Sequence, residues 1–317
     1  MSLDEEMDLN LALAQLPQQF VNGITLGCLY ALIALGYCMV YGVLEMLNFA
    51  HGEVFMVGGY LGWAIISNLV LGVTPRTNAV LILVIMLLVA MAGAGALGVG
   101  IEWFAYRPLR GASRLAPLIS ALGVSIFLQN AVMLGLGTRS KTYQTMALIP
   151  RDMSVSAGDV TIAGTRILII VVSILLMFAL HFFVQRTKWG TAMRATAQDR
   201  EEASYLGIDA NRVISLTFLI GSMLAGAAGV LVGLYYTQVD FMMGYSAGLK
   251  GFTATVLGGI GNVQGAMLGG LVLGLVEGLG AAFISPAYKD IIAFSVLILV
   301  LLVKPSGILG ENLPEKV

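Results

Sequence analysis

Long uncharged apolar runs alternate with short polar breaks along the whole chain. Residues 9–44 carry no charge at all. Runs of about twenty apolar residues match the thickness of a bilayer core crossed by a helix. They predict spans over about 20–43, 47–71, 78–104, 115–137, 166–185, 213–236, 264–283 and 288–303, with an interfacial segment ending near Pro17 ahead of the first. One run breaks the pattern. GFTATVLGGIGN (251–262) is apolar, but about twelve residues are too few for a straight crossing. It predicts a short, broken or re-entrant segment shielded by protein, and the stretch before it, Gln238 to Lys250, reads as a polar loop.

Small residues recur at steps of four: Gly221, Ala225, Gly229 and Gly233; Gly261, Gly265 and Gly269; Gly270, Gly274 and Gly278. With AGAGALGVG (92–100) they predict close helix–helix contacts.

The densest polar run is 186–212. It carries Arg186, Lys188, Arg194, Arg200 and Arg212, with Asp199, Glu201, Glu202 and Asp209 among them. Its basic excess places it in the cytoplasm, as does that of Arg107, Arg110 and Arg114 after the third span. Thr196 and Asp199 have the spacing of a capping box, and Gly207 suits the position that ends a helix. The pattern predicts one surface helix of roughly two to three turns over about 196–206, either a solvated connector or a docking element. Counting from the two basic loops puts the amino terminus outside and the carboxyl terminus, with Lys304 and Lys316, inside.

These elements compose one transmembrane domain. A first repeat covers about 18–137, followed by an outer loop over 138–165 with a turn-like SAGD at 156–159. The fifth span over 166–185 leads to the cytoplasmic loop 186–212, and a second repeat covers about 213–304. HGEVFMVGGYLG in the first repeat matches KGFTATVLGGIG in the second, and Glu102 matches Glu277. The halves enter the membrane from opposite sides, so they would be inverted repeats with a path at their interface.

Composition agrees with this reading. Charged residues make up 11% and hydrophobic residues 58%, against roughly 25% charged in soluble domains. Mean hydropathy is +0.90. The class is an all-α polytopic membrane protein. The net charge of −1 points to no nucleic-acid partner. The acidic opening MSLDEEMD lacks the basic region of a signal peptide. Cys28 and Cys38 lie in one apolar run, about 15 Å apart along a helix, too far for a disulfide. His51 and His181 are the only histidines, and no metal-ligand cluster appears. GYSAGLKG (244–251) lacks the ending of a phosphate loop. No catalytic motif survives, so any ATP hydrolysis comes from another chain.

Asn48 and His51 bring polar groups to the start of the second span, on one helix face that excludes Glu53. Thr253, Thr255 and Asn262 do the same for the glycine-broken segment. These five are candidate path residues, with helix–helix hydrogen bonds as the alternative role. Glu277 either pairs within the bundle or, in a stand-alone transporter, couples an ion.

Six stretches lie in order and cover nearly the whole chain: NGITLGCLYALIALGYCMVYG (22–42), LNFAHGEV (47–54), RLAPLISALGVSIFLQN (114–130), EEASYLGI (201–208), FTATVLGGIGN (252–262) and YKDIIAFSVLILVLLVKPSGILG (288–310). In them the chain resembles the H-type permease subunits of high-affinity branched-chain amino acid ABC importers. The resemblance implies a type II-like importer permease fold with inverted repeats and about eight to nine segments in the bacterial inner membrane. It implies a second permease, identical or homologous, two ATPase subunits that use Mg-ATP, and an external amino acid-binding protein; this chain itself would hold no cofactor. It also implies an ATPase-coupling helix at Asp199, Arg200, Glu201, Glu202, Ala203 and Gly207. Charge at Arg200, Glu201 and Glu202 would set docking, Ala203 would allow close approach and Gly207 would end the helix. Selection would fall to the binding protein and the path would bind weakly. Another small solute, such as urea or an amide, fits the same machine.

Overall fold

The computed structural model describes residues 3–69, 79–113, 115–149, 154–157 and 160–310. Gly158 and Asp159 of the expected turn, Arg114, Arg151 and Lys316 lie outside them. The described chain is mostly helical. Its long helices are α1 (Leu3–Leu44), α2 (His51–Leu69), α3 (Ala79–Ile101) and α4 (Leu115–Leu136). α3 runs on through a wider turn at Glu102–Tyr106 and a tighter one at Arg107–Leu109. The outer loop has structure of its own: β1 (Lys141–Thr142), the one-turn α5 (Thr145–Leu148), and a hairpin of β2 (Ser154–Ala157) and β3 (Val160–Ala163). Next come α6 (Gly164–Arg186), α7 (Lys188–Gln198), α8 (Arg200–Tyr205) and α9 (Ala210–Tyr236). The chain ends with β4 (Gln238–Val239), α10 (Met243–Gly258), α11 (Val263–Phe283) and α12 (Lys289–Val303).

Six described helical stretches are long and apolar enough to cross a membrane: Gln15–Leu44, Ala79–Leu109, Leu115–Leu136, Gly164–Arg186, Ala210–Tyr236 and Val263–Phe283. α2, α10 and α12 are shorter, at 19, 16 and 15 residues. α1 continues through Pro17, so no separate interfacial segment precedes the first span.

The centre is α1. Its residues from Cys28 to Cys38 are almost completely buried. α1 packs most extensively against α11, and α9 packs most extensively against α3. The short helices α2 and α10 also touch each other. α4 and α6 lie outside and present Ile119, Phe127, Phe178 and Phe182 outward, as suits helices bathed in lipid.

Lipid offers apolar side chains no hydrophobic gain from pairing, so backbones must come close enough for dispersion to act. A Cβ on Gly274 would lie 2.1 Å from the Gly27 nitrogen, and one on Gly269 would lie 2.1 Å from the Ala254 carbonyl oxygen. The two stripes of α11 therefore serve two neighbours, α1 and α10. On α9, Gly229 seats the Phe55–Gly59 backbone of α2. Gly233 makes room instead for the ring of Tyr143 from the outer loop, whose hydroxyl donates to the Gly59 carbonyl. Pairing of β1 with β4 holds that loop in place.

Two breaks depart from the expected spans. α1 ends at Glu45, a non-glycine residue at φ 54°, and α2 begins at His51 rather than 47. Asn48 therefore precedes the helix and shares no helix face with His51. Its side chain accepts from the Ala50 amide at 3.1 Å, and its carbonyl accepts from the His51 amide. The second break follows α10. This helix starts at Met243, inside what composition presents as a polar loop, and stops at Gly259 (φ 111°). The segment after α12 returns to its end: the amides of Ile308 and Leu309 donate to the carbonyls of Leu257 and Gly258, each at 2.9 Å. The last carbonyls of a helix lack partners of their own, and at membrane depth they need them.

Lys250 of α10 is a second tie. Its ammonium lies 2.9 and 3.0 Å from the Glu277 carboxylate of α11 and 2.9 Å from Asp290 of α12. The Tyr30 hydroxyl of α1 donates to Glu277 at 2.8 Å. One cation thus holds three helices, and its main partner is buried.

Two outcomes follow for the purified protein in detergent. Gly274→Val lowers the thermal midpoint, at a cost of about 3 kcal/mol from forced helix separation, whereas Gly123→Ala, with open space around it, leaves it in place. Lys250→Met strands Glu277 and costs about 3–5 kcal/mol, and adding Glu277→Met recovers most of that loss; equal midpoints for the single and double variants would contradict the assignment.

Candidate functional site

The central polar loop folds as two helices where one was expected. Thr196 is not a cap: it lies in the last turn of α7, and its hydroxyl donates to the Ala192 carbonyl. The cap is Asp199, whose carboxylate accepts from the Glu201 and Glu202 amides at 2.8 and 3.1 Å. Asp is as good an N-cap as Thr, so the residue expected three places into the helix instead begins it. α8 ends as Gly207 predicts. The Ile208 amide donates to the Ala203 carbonyl and the Gly207 amide to that of Ser204, with Gly207 at φ 81°. This is the paired closing pattern that favours glycine at that position.

The faces of α8 are now assigned. Ala203 is buried within this chain, so its small size serves packing on the protein's own helices. Glu201, Glu202, Tyr205, Leu206 and Gly207 are exposed, with Tyr205 and Leu206 about four-fifths so. Arg200 reaches back to the Val43 carbonyl at 3.2 Å, at the end of α1. A cavity of about 550 Å3 lies between this loop and the α1–α2 break, lined by Tyr41, Glu45, Thr196 and Arg200 among others. Nearby, Arg110 binds Glu102 and Asn211, and Ser215 donates to Glu102 at 2.7 Å. Burial pulls the Arg110 guanidinium below the usual arginine range, and Glu102 opposes that shift.

Within the membrane, the five candidate path residues do not form one cluster. Asn48 is buried at the α1–α2 break and accepts from the Tyr106 hydroxyl at 3.1 Å. His51 is fully buried, edge-on to Tyr37 with ring centroids 4.6 Å apart, and packs on Gly36. Neither of its ring nitrogens makes a hydrogen bond of normal geometry. The Thr253 hydroxyl donates to the Leu249 carbonyl, and that of Thr255 lies 3.0 Å from the Ala34 carbonyl and 2.8 Å from that of Gly251. Asn262 caps α11 through the Gly265 amide and donates to the Leu309 carbonyl, both at 3.0 Å.

Two charged residues fall outside the five. Lys250 sits in the buried network, and Glu53 borders a cavity of about 340 Å3 that none of the five lines. A lysine inside a glycine-rich apolar stretch and an acid in the first turn of a span were the available signals. Each drew less weight than the polar composition around it.

Residues 19–301 match the family model described as branched-chain amino acid transport system / permease component. The chain is 48% identical over 303 residues to the high-affinity branched-chain amino acid transport system permease protein BraD of Pseudomonas aeruginosa, covering 95% of this chain and 97% of that one. It is 47% identical over 305 residues, with the same coverage, to the corresponding permease protein LivH of Escherichia coli. Similarity to the fructose import permease protein FrcC of Rhizobium meliloti is confined to 113 residues at 29% identity, covering 33% of this chain and 31% of that one. The chain therefore belongs to the family of permease components of branched-chain amino acid transport systems.

Proposed function

We propose that this chain is the membrane-spanning permease subunit of an ATP-driven, binding-protein-dependent importer of leucine, isoleucine and valine in the bacterial inner membrane. What carries the reading is identity near one half, end to end, with permeases named for that transport. The chain forms the translocation path together with a second permease, identical or homologous. Separate ATPase subunits use Mg-ATP, and an external binding protein delivers the substrate. The amino terminus lies outside and the carboxyl terminus inside.

The packing supports inverted repeats over about 18–137 and 213–304. The first helix of each lies against the third of the other, α1 on α11 and α9 on α3, and the short helices α2 and α10 meet between them. Type II-like permease architecture, with about eight to nine segments including the broken α10, accommodates this exchange. Asp199, Arg200, Glu201, Glu202, Ala203 and Gly207 build the coupling element. In this reading the exposed Glu201, Glu202, Tyr205 and Leu206 meet the ATPase, while Ala203 and Gly207 fix the helix that presents them. Arg200 joins that helix to the α1–α2 break, where Asn48 and His51 sit. Thr253, Thr255 and Asn262 shape the matching break after α10, so the five border the path by holding its two interruptions.

A second reading, the same machine for another small solute, draws on the partial likeness to a fructose permease. Ion coupling through Glu277 finds less support, because Lys250 and Tyr30 already occupy that carboxylate.

Leucine uptake into proteoliposomes containing this chain with its partner subunits separates these readings. Uptake is expected to require ATP, the ATPases and the binding protein; uptake driven by an ion gradient with this chain alone would overturn the importer. In the same vesicles Ala203→Leu and Gly207→Val reach the membrane at wild-type levels, and ATP-driven uptake falls about tenfold or more, the equivalent of roughly 1.4 kcal/mol. Wild-type uptake by both would remove the coupling role from this loop.

A further inference from the structure

Glu53 stands in the first turn of α2 and is 2% exposed. One of its oxygens accepts from the Ser125 hydroxyl at 3.3 Å, and the other, Oε2, has no partner. The helix N-terminus offsets part of the cost of burying this carboxylate, but a buried acid without a cation is the exception in proteins. The other buried acids among the described residues, Glu102 and Glu277, each have a basic partner. Oε2 faces Gly244, where a Cβ would lie 2.5 Å away, so the glycine leaves the carboxylate room.

The cavity it borders lies among α1, α2, α4 and α10. At about 340 Å3 it falls in the size range of small-ligand sites, roughly 300–1,000 Å3. Its walls include Phe49, Leu122, Ile126 and Phe252, and among the described residues no Lys, Arg or His lines it. An aliphatic and aromatic chamber holding one carboxylate with a free oxygen matches an aliphatic chain that ends in a cation. An alkylammonium brings three donors to the carboxylate, and the aromatic faces add to its attraction.

We infer that Glu53 binds the α-ammonium of the transported amino acid, with the aliphatic side chain against Phe49, Ile126 and Phe252. This rests on the import reading and names a contact within it. Gln129 lines the same wall, its side-chain amide donating to the Met242 sulfur at 3.1 Å; turned from that sulfur it would donate to the substrate's α-carboxylate.

The test uses the assembled transporter in proteoliposomes. A hydrophobic carbodiimide activates Glu53, and labelling is quantified by peptide mass spectrometry as the sum of the acylurea and of any amide formed with the amine, with Glu53→Gln as the control that identifies the labelled site. Isoamylamine and isoamyl alcohol share one carbon skeleton and differ in charge. Isoamylamine is expected to protect Glu53 at a concentration about tenfold below any protection by the alcohol, as a hydrogen bond to a charged group provides. Equal protection by the two, or protection by neither, overturns the assignment. Glu53→Gln is expected to lower leucine uptake about tenfold while Glu53→Asp keeps part of it; full uptake by Glu53→Gln also overturns it. Wild-type vesicles that import no leucine would defeat the import reading, and the amine–alcohol contrast would still decide the role of Glu53.

Discussion

Backbone contact between helices is the constraint on which this protein is built. In lipid, a leucine gains little by leaving acyl chains for another leucine. Cohesion must come from many atoms at short range, and glycine is what lets two backbones approach that closely. α11 shows the principle on two sides at once, with Gly274 against α1 and Gly269 against α10. α9 repeats it against α2 and α3, where Gly226 meets the backbone of Ala90. The outer helices need none of this, and α4 carries glycines with open space around them, such as Gly123 and Gly135.

Close packing at the centre also explains where polarity is tolerated. Lys250, Glu277 and Tyr30 satisfy one another where three helices converge, and Glu102 finds Arg110 and Ser215 beyond the end of α3. Each network joins helices that are distant in sequence. Each therefore reports that those helices are correctly seated, because a partner displaced by a turn would leave a charge uncompensated.

The features readable in the sequence were those set by local chemistry. The positions of the six long apolar helices followed from apolar run length, the stripes of α9 and α11 from their step of four, and the end of α8 from Gly207. The start of α10 was not readable, because GYSAGLKG has loop composition, and its use as a helix packed on Gly52 of α2 through Gly244 and Gly248 is a tertiary contact. Lys250 belongs to the interior because of Glu277 and Asp290, which lie 27 and 40 positions further along the chain. The division of the central loop was not read, since the Thr196–Asp199 spacing pointed to one helix capped at Thr196. Packing of Thr196 and Met193 into the body assigned that role to Asp199. Among the candidate site residues, polarity alone marked Asn48, His51 and the two threonines. Which of them would already be satisfied by a backbone carbonyl depended on the fold.

The return of Ile308 and Leu309 to α10 has a bearing on how the molecule is made. The two carbonyls they satisfy belong to a helix synthesised about fifty residues earlier. Until residues 308 and 309 leave the ribosome, those two carbonyls lack these partners. The sealing of α10 is therefore tied to a segment made well after it, and a chain cut between the two keeps an open helix end.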